Sequence, residues 1–263
     1  MKTTRRLIIF AGAVLAAASG WAQTVQFINV TRRANYVQTG TSSVSADTTT
    51  PFEFKAAVEG DNAMTGSTPL TAATYTKPGG SATSLTYDAS GHHWVYRDDT
   101  QTSMANLNAA YTTGSYAFNL TGTPSGASSV SVSSFASTQL QVPMFTLSGG
   151  TWAGNTYQMA AGATLTVTFN ALYSGTVGST AAFHYDAELN GMGNQSSNAF
   201  INWDPTANSG AGAAATFTST PPNFVANSLT AGSYTFEATF SDVQNPSMVY
   251  GGSVFAASLL EYR

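Results

Sequence analysis

The sequence predicts an all-β chain, two antiparallel β-sandwich domains in tandem behind a cleaved N-terminal leader. Three observations carry that reading. Apolar residues recur at period two, clusters of Gly, Pro, Asn and Ser separate these runs, and 38 threonines with 30 serines supply an uncharged polar face. Only 8% of the 263 residues are charged and none is cysteine, against ~25% charge in an ordinary soluble domain. A coiled coil, a basic nucleic-acid binder, a disulfide-stapled mini-protein and a charge-driven disordered tail each need a composition this chain lacks. Stability without disulfides rests on apolar burial and sheet hydrogen bonds, which a chain of this length can supply.

At the N-terminus, Lys2, Arg5 and Arg6 precede an apolar run from Leu7 to Ala18, and Gly20-Trp21-Ala22 offers a small-x-small site. This order reads as a signal peptide, residues 1–22, cleaved before Gln23. The apolar run is 12 residues long, short of the ~20 that a membrane span requires. Cleavage removes three bases and no acid, leaving six basic against 13 acidic side chains and a formal charge of −7. Nucleic acid and anionic membrane surfaces are therefore not expected partners. The mature chain is expected to be exported, periplasmic or extracellular, with no membrane span.

The strands follow in order. Val25 to Val30, Phe52 to Val58, Tyr116 to Leu120, Val130 to Val132, Leu165 to Phe169, Tyr234 to Phe240 and Val254 to Tyr262 are β-branched and aromatic runs bounded by turn residues. The single helical pattern is Ser103 to Tyr111. Ser103 is the cap there, and Met104, Leu107 and Tyr111 fall at helical spacing. Gly114-Ser115-Tyr116-x-Phe118 recurs as Gly232-Ser233-Tyr234-x-Phe236, a turn glycine leading into a strand whose Tyr and Phe share a face. Two copies suggest two domains, 23–141 and 142–263, divided after the Ser/Gly-rich stretch Gly122 to Ser134 and near Val142-Pro143. That boundary predicts that Val142 to Arg263 folds alone; one larger sandwich decorated by hairpins is the alternative.

The Leu-x-x-Gly-Ser-Tyr-x-Phe element, at Leu229 to Phe236, resembles the penultimate strand of immunoglobulin-like and fibronectin-III-like bacterial modules. Together with Thr76 to Leu85, the Leu107 to Tyr111 turn and the first Gly-Ser-Tyr-x-Phe, it resembles secreted tandem β-sandwich proteins of environmental bacteria that have no assigned activity. The likeness covers residues 50 to 240. It implies a fold and brings no catalytic residue with it.

Chemistry has few places to sit. In Phe183 to Leu189, strand alternation puts His184, Asp186 and Glu188 on one face. An imidazole and two carboxylates ~6.5–7 Å apart along a strand could supply two ligands to calcium or zinc, form an acid/base pair, or simply face solvent. Metal sites normally need three or four convergent ligands, so no cofactor is expected. In Asp88 to Asp99, alternation groups His92, Trp94 and Tyr96. These would make a stacking platform for a sugar ring if exposed, or fill the sandwich core if not. Asp98-Asp99 reads as a turn, because no Asp-x-Asp-x-Asp-Gly loop accompanies it. The amide-rich stretch Gly191 to Pro205 places Trp203 and Asp204 as binding candidates, and Trp152 in Gly149 to Asn155 is another.

The standard catalytic signatures are missing: no Gly-x-Ser-x-Gly elbow, Walker loop, dinucleotide fingerprint or His-Glu-x-x-His. The expected function is an exported, non-enzymatic protein with a structural, adhesive or glycan-binding role. Its partner would be a glycan or another envelope or extracellular protein. The alternative is a secreted hydrolase of polysaccharide that uses the His184, Asp186 and Glu188 face, since two carboxylates suffice for glycoside hydrolysis.

Overall fold

The computed structural model describes residues 25–60, 64–122, 126–133, 144–169, 173–177, 182–191, 198–203, 215–219, 224–249 and 254–262. The expected leader, residues 1–22, the Val142-Pro143 boundary and Asp204 lie outside them. The described residues are mostly β-strand, with one short helix.

In chain order the first half holds β1 (Val25–Ala34), β2 (Tyr36–Gln38), β3 (Val44–Ala46), β4 (Phe52–Gly60), β5 (Leu70–Thr76), β6 (Ala82–Ser84), β7 (Thr86–Asp88) and β8 (His93–Gln101). Helix α1 (Met104–Ala110), β9 (Ser115–Gly122) and β10 (Gly126–Ser133) complete it. The second half holds β11 (Phe145–Ser148), β12 (Gly150–Ala153), β13 (Thr156–Met159), β14 (Leu165–Phe169), β15 (Tyr173–Val177) and β16 (Ala182–Gly191). It ends with β17 (Asn198–Trp203), β18 (Ala215–Ser219), β19 (Phe224–Ala226), β20 (Tyr234–Val249) and β21 (Val254–Tyr262).

Eight of these strands form one sheet, in the order β17-β16-β20-β21-β1-β4-β8-β7. A four-stranded sheet, β10-β9-β5-β6, and a three-stranded one, β11-β14-β19, accompany it. The alternation that the sequence shows in β4 sorts Phe54, Ala56 and Val58 to a buried inner face, joined by Ile28 and Val30 of β1 and Trp94 of β8. Tyr75 of β5 and Tyr116, Phe118 and Leu120 of β9 meet them from the four-stranded sheet in one apolar cluster. Phe54 is its hub, with ring centroids 5.8 Å from both Tyr75 and Tyr116 and 3.7 Å from the parallel ring of Tyr111. In the second half Phe236 of β20 plays the same part: Phe145 and Phe224 lie 5.2 Å away edge-on, and Phe169 lies at 6.3 Å.

Local expectations hold where local chemistry decides. Ser103 caps α1 by accepting a hydrogen bond from Asn106 N at 3.1 Å, and Met104, Leu107 and Tyr111 are buried. Both copies of the repeat close in the same way. The Tyr116 hydroxyl donates to Thr112 O at 2.9 Å, and the Tyr234 hydroxyl donates to Thr230 O at 3.0 Å. Tyr111 and Leu229, the residues equivalent to each other before these turns, are both buried. Gly114 sits at φ +145°, and a Cβ there would come within 2.7 Å of the Pro78 ring, so the turn requires its glycine.

Two expectations are corrected. Asp98 and Asp99 lie inside β8 rather than in a turn. β8 slips by bulging where it passes Phe52 and Phe54, and Asp98 there takes the hydroxyls of Thr100 and Tyr111 at 2.6 and 2.7 Å. The pairing is also not wholly antiparallel, because β21 runs parallel to β1 from Phe27↔Phe255 to Ala34↔Tyr262. The eight-stranded sheet therefore passes from the first half into the second through hydrogen bonds. Among the described residues, no helix is long and apolar enough to cross a membrane.

Candidate functional site

The expected aromatic platform lies on β8 and in the turn before it. Trp94 is 8% exposed and packs against Tyr87 at 5.7 Å. Tyr96 lies 5.2 Å from Tyr75 and 6.4 Å from Phe54, inside the aromatic cluster. His92 precedes the strand at φ +51°, its Nδ1 3.3 Å from Met64 O. The three residues thus serve the hairpin and core, because the inner face of β8 is covered by the neighbouring sheet. A stacking platform needs an open ring face, and Trp94 offers none.

The opposite face of the eight-stranded sheet carries an ordered row of charge. Register places Arg33 directly between Glu261 and Glu53. Arg33 Nε donates to Glu261 Oε2 at 2.7 Å, its Nη1 stands 3.7 Å from Glu53 Oε2, and Arg97 Nη1 donates to Glu53 Oε1 at 3.2 Å. Burial opposes the Arg33 charge, yet Glu261 and Glu53 raise its pKa above the ordinary value. Beside this row, Lys55 Nζ and Asn29 Nδ2 donate to Glu59 Oε1 at 2.6 and 3.0 Å. Burial would push the Glu59 carboxyl up; Lys55, Asn29 and His93 more than offset it and hold the pKa low. Hydrogen bonds from Ser90 likewise lower Asp88. A general acid at neutral pH needs a raised carboxyl; Glu59, Asp88 and Asp98 are all displaced the other way.

The row His184, Asp186 and Glu188 lies on β16, between β20 and β17. Its backbone register sets His184 opposite Ser241, Asp186 between Thr239 and Asn202, and Glu188 between Glu237 and Phe200. Trp203 ends β17 opposite Tyr185. The side chains of His184, Asp186, Glu188 and Trp203 lie outside the described residues; among those described, no group of three or more His, Cys, Asp or Glu is placed to hold a metal ion.

An open aromatic site lies elsewhere, on the hairpin β12–β13. Gly154, at φ +61°, takes the first central position of the two-residue Gly154-Asn155 turn, which suits glycine. The short turn fixes the register, and Trp152 falls opposite Tyr157. Their rings meet edge to face with centroids 5.4 Å apart at 71°. Gly150 N donates to the Tyr157 hydroxyl at 2.9 Å, which pins that ring. Both rings are half-buried. Together with Thr41, Thr146, Leu147, Gly150 and Thr151 they line a groove of about 290 Å³.

The groove draws on two distant parts of the chain. Thr41 lies in the β2–β3 turn, and the β2 residue Gln38 holds that hairpin to β11. Gln38 Nε2 donates to Phe145 O at 2.7 Å and Gln38 Oε1 accepts from Phe145 N at 3.1 Å, so one side-chain amide pairs with the backbone as a strand would. Trp152 was visible in the sequence as a lone aromatic. Its partner was also legible, because a two-residue Gly-Asn turn sets Trp152 against Tyr157 by counting outward. Thr41 and Thr146 were not, since no local pattern joins residues so far apart.

No known protein-family model matches the chain, and comparison with curated proteins finds no match.

Proposed function

We propose that this is an exported, non-enzymatic β-sandwich protein that binds glycan in the Trp152–Tyr157 groove. The single observation that carries the reading is the half-buried aromatic pair, pinned by its hairpin and lining a groove with three exposed threonines. Aromatic faces supply apolar contact to the C–H face of a sugar ring, and hydroxyls orient its polar groups. The Lys2-Arg5-Arg6 leader pattern supports export, and the two closed Gly-Ser-Tyr-x-Phe turns support an immunoglobulin-like ancestry for the two halves.

The test uses the chain expressed with its own N-terminus. Its melting temperature is measured against soluble glycans, because a ligand selective for the folded state raises it by mass action. A glycan at 100 times its Kd stabilises by about 2.7 kcal/mol, a shift of several degrees. Trp152→Ala is expected to remove that shift while leaving the unliganded melt nearly unchanged. A shift that survives Trp152→Ala, or release of reducing sugar from the glycan, would rule this reading out.

A further inference from the structure

We infer that the groove selects an uncharged sugar ring and rejects acidic ones; this rests on the glycan-binding reading above. Thr41, Thr146, Leu147, Gly150, Thr151, Trp152 and Tyr157 line the groove without one ionisable acid or base at neutral pH. Acidic sugars are ordinarily held by arginine or lysine, whose charge-assisted hydrogen bonds compensate the carboxylate or sulfate for lost water.

The described cations are all engaged elsewhere. Arg32 bonds Asn108 and the Tyr111 carbonyl. Arg33 and Arg97 serve Glu261 and Glu53, Lys55 serves Glu59, and Lys77 donates to Ala110 O while lying over the Tyr111 ring. An anionic ring in the groove would therefore lose hydration with neutral hydroxyls, and no cation among the described residues, to replace it. The net negative charge of the chain adds repulsion.

What the groove does offer is neutral. The side chains of Thr41, Thr146 and Thr151 are exposed, and each hydroxyl both donates and accepts. Tyr157 accepts from Gly150 N and keeps its own hydrogen to donate. At about 290 Å³ the space falls just below the ~300–1,000 Å³ usual for ligand sites. It fits one ring of a chain, the other rings staying in solvent.

The experiment is a printed glycan array carrying neutral, uronic, sialylated and sulfated glycans, followed by calorimetric titration of the hits. Binding confined to neutral glycans is expected, with Trp152→Ala and Thr151→Val each weakening Kd at least tenfold. Thr151 is exposed, so Thr151→Val keeps the fold if Trp152→Ala disturbs it. Acidic glycans bound as tightly as neutral ones would overturn the selectivity while leaving glycan binding in place. No hit on any glycan would overturn both readings, and hits indifferent to both variants would place the site elsewhere.

Discussion

Asp98 shows how a single side chain can be committed to structure. Burial alone would push its carboxyl up, but the Thr100 hydroxyl and N–H, the Tyr111 hydroxyl and the Gln101 amide all donate to it and bring its pKa down to about 2. These bonds favour the ionised form, so their contribution is fully present above the unfolded pKa of ~3.9. It fades as pH falls from about 4 towards 2. The depression corresponds to about 1–2 kcal/mol after allowance for partial exposure. Asp98→Asn is therefore expected to lower the melting temperature at pH 6 and to have little further effect at pH 2. Equal losses at both pH values, measured by circular dichroism melts, would show that Asp98 acts through packing. His93 is displaced downward by burial, despite its acidic neighbours, so the folded state favours the neutral imidazole. Acid therefore opposes folding as pH falls below the unfolded imidazole value of ~6.5.

At the scale of elements, the two Gly-Ser-Tyr-x-Phe turns do the same job in different surroundings. Tyr116 is fully buried and its hydroxyl closes on Thr112 O; Tyr234 is half-buried and closes on Thr230 O. The buried Tyr116 hydroxyl also serves the buried Arg32 guanidinium, which would lose that partner, whereas water can replace the exposed Tyr234 hydroxyl. Tyr116→Phe is accordingly expected to cost about 1–2 kcal/mol and Tyr234→Phe about 0.5 kcal/mol, read from urea unfolding midpoints. The reverse order would show that the second turn carries the greater load. Phe236→Ala, which empties the ring of Phe145, Phe169 and Phe224, is expected to cost about 3 kcal/mol. These elements were legible in the sequence because turn chemistry and alternation are local: Leu165–Phe169 and Val254–Tyr262 match their predicted bounds. Trp94 was not settled by alternation. Period two says which residues share a face, but only the neighbouring sheet says whether that face is covered.

At the scale of the molecule, what the sequence does not disclose is long-range pairing. Nothing in Val254 to Tyr262 announces that it will lie parallel to Val25–Ala34, yet that pairing joins the halves. Cutting at residue 141 would strip β21 of β1 along the whole register from Phe27↔Phe255 to Ala34↔Tyr262. It would leave Val254, Ala256 and Leu260, all buried in the intact chain, on an open edge beside a Glu261 deprived of Arg33. The Gln38–Phe145 clasp would go as well. An unpaired apolar edge invites association. A fragment from Val142 to Arg263 is therefore expected to aggregate or to stay unfolded, and the full chain to unfold in a single transition seen alike by tryptophan fluorescence and circular dichroism. A fragment that melts cooperatively as a monomer would mean that the second half holds its own core, and that the β1–β21 pairing joins two domains without supporting either.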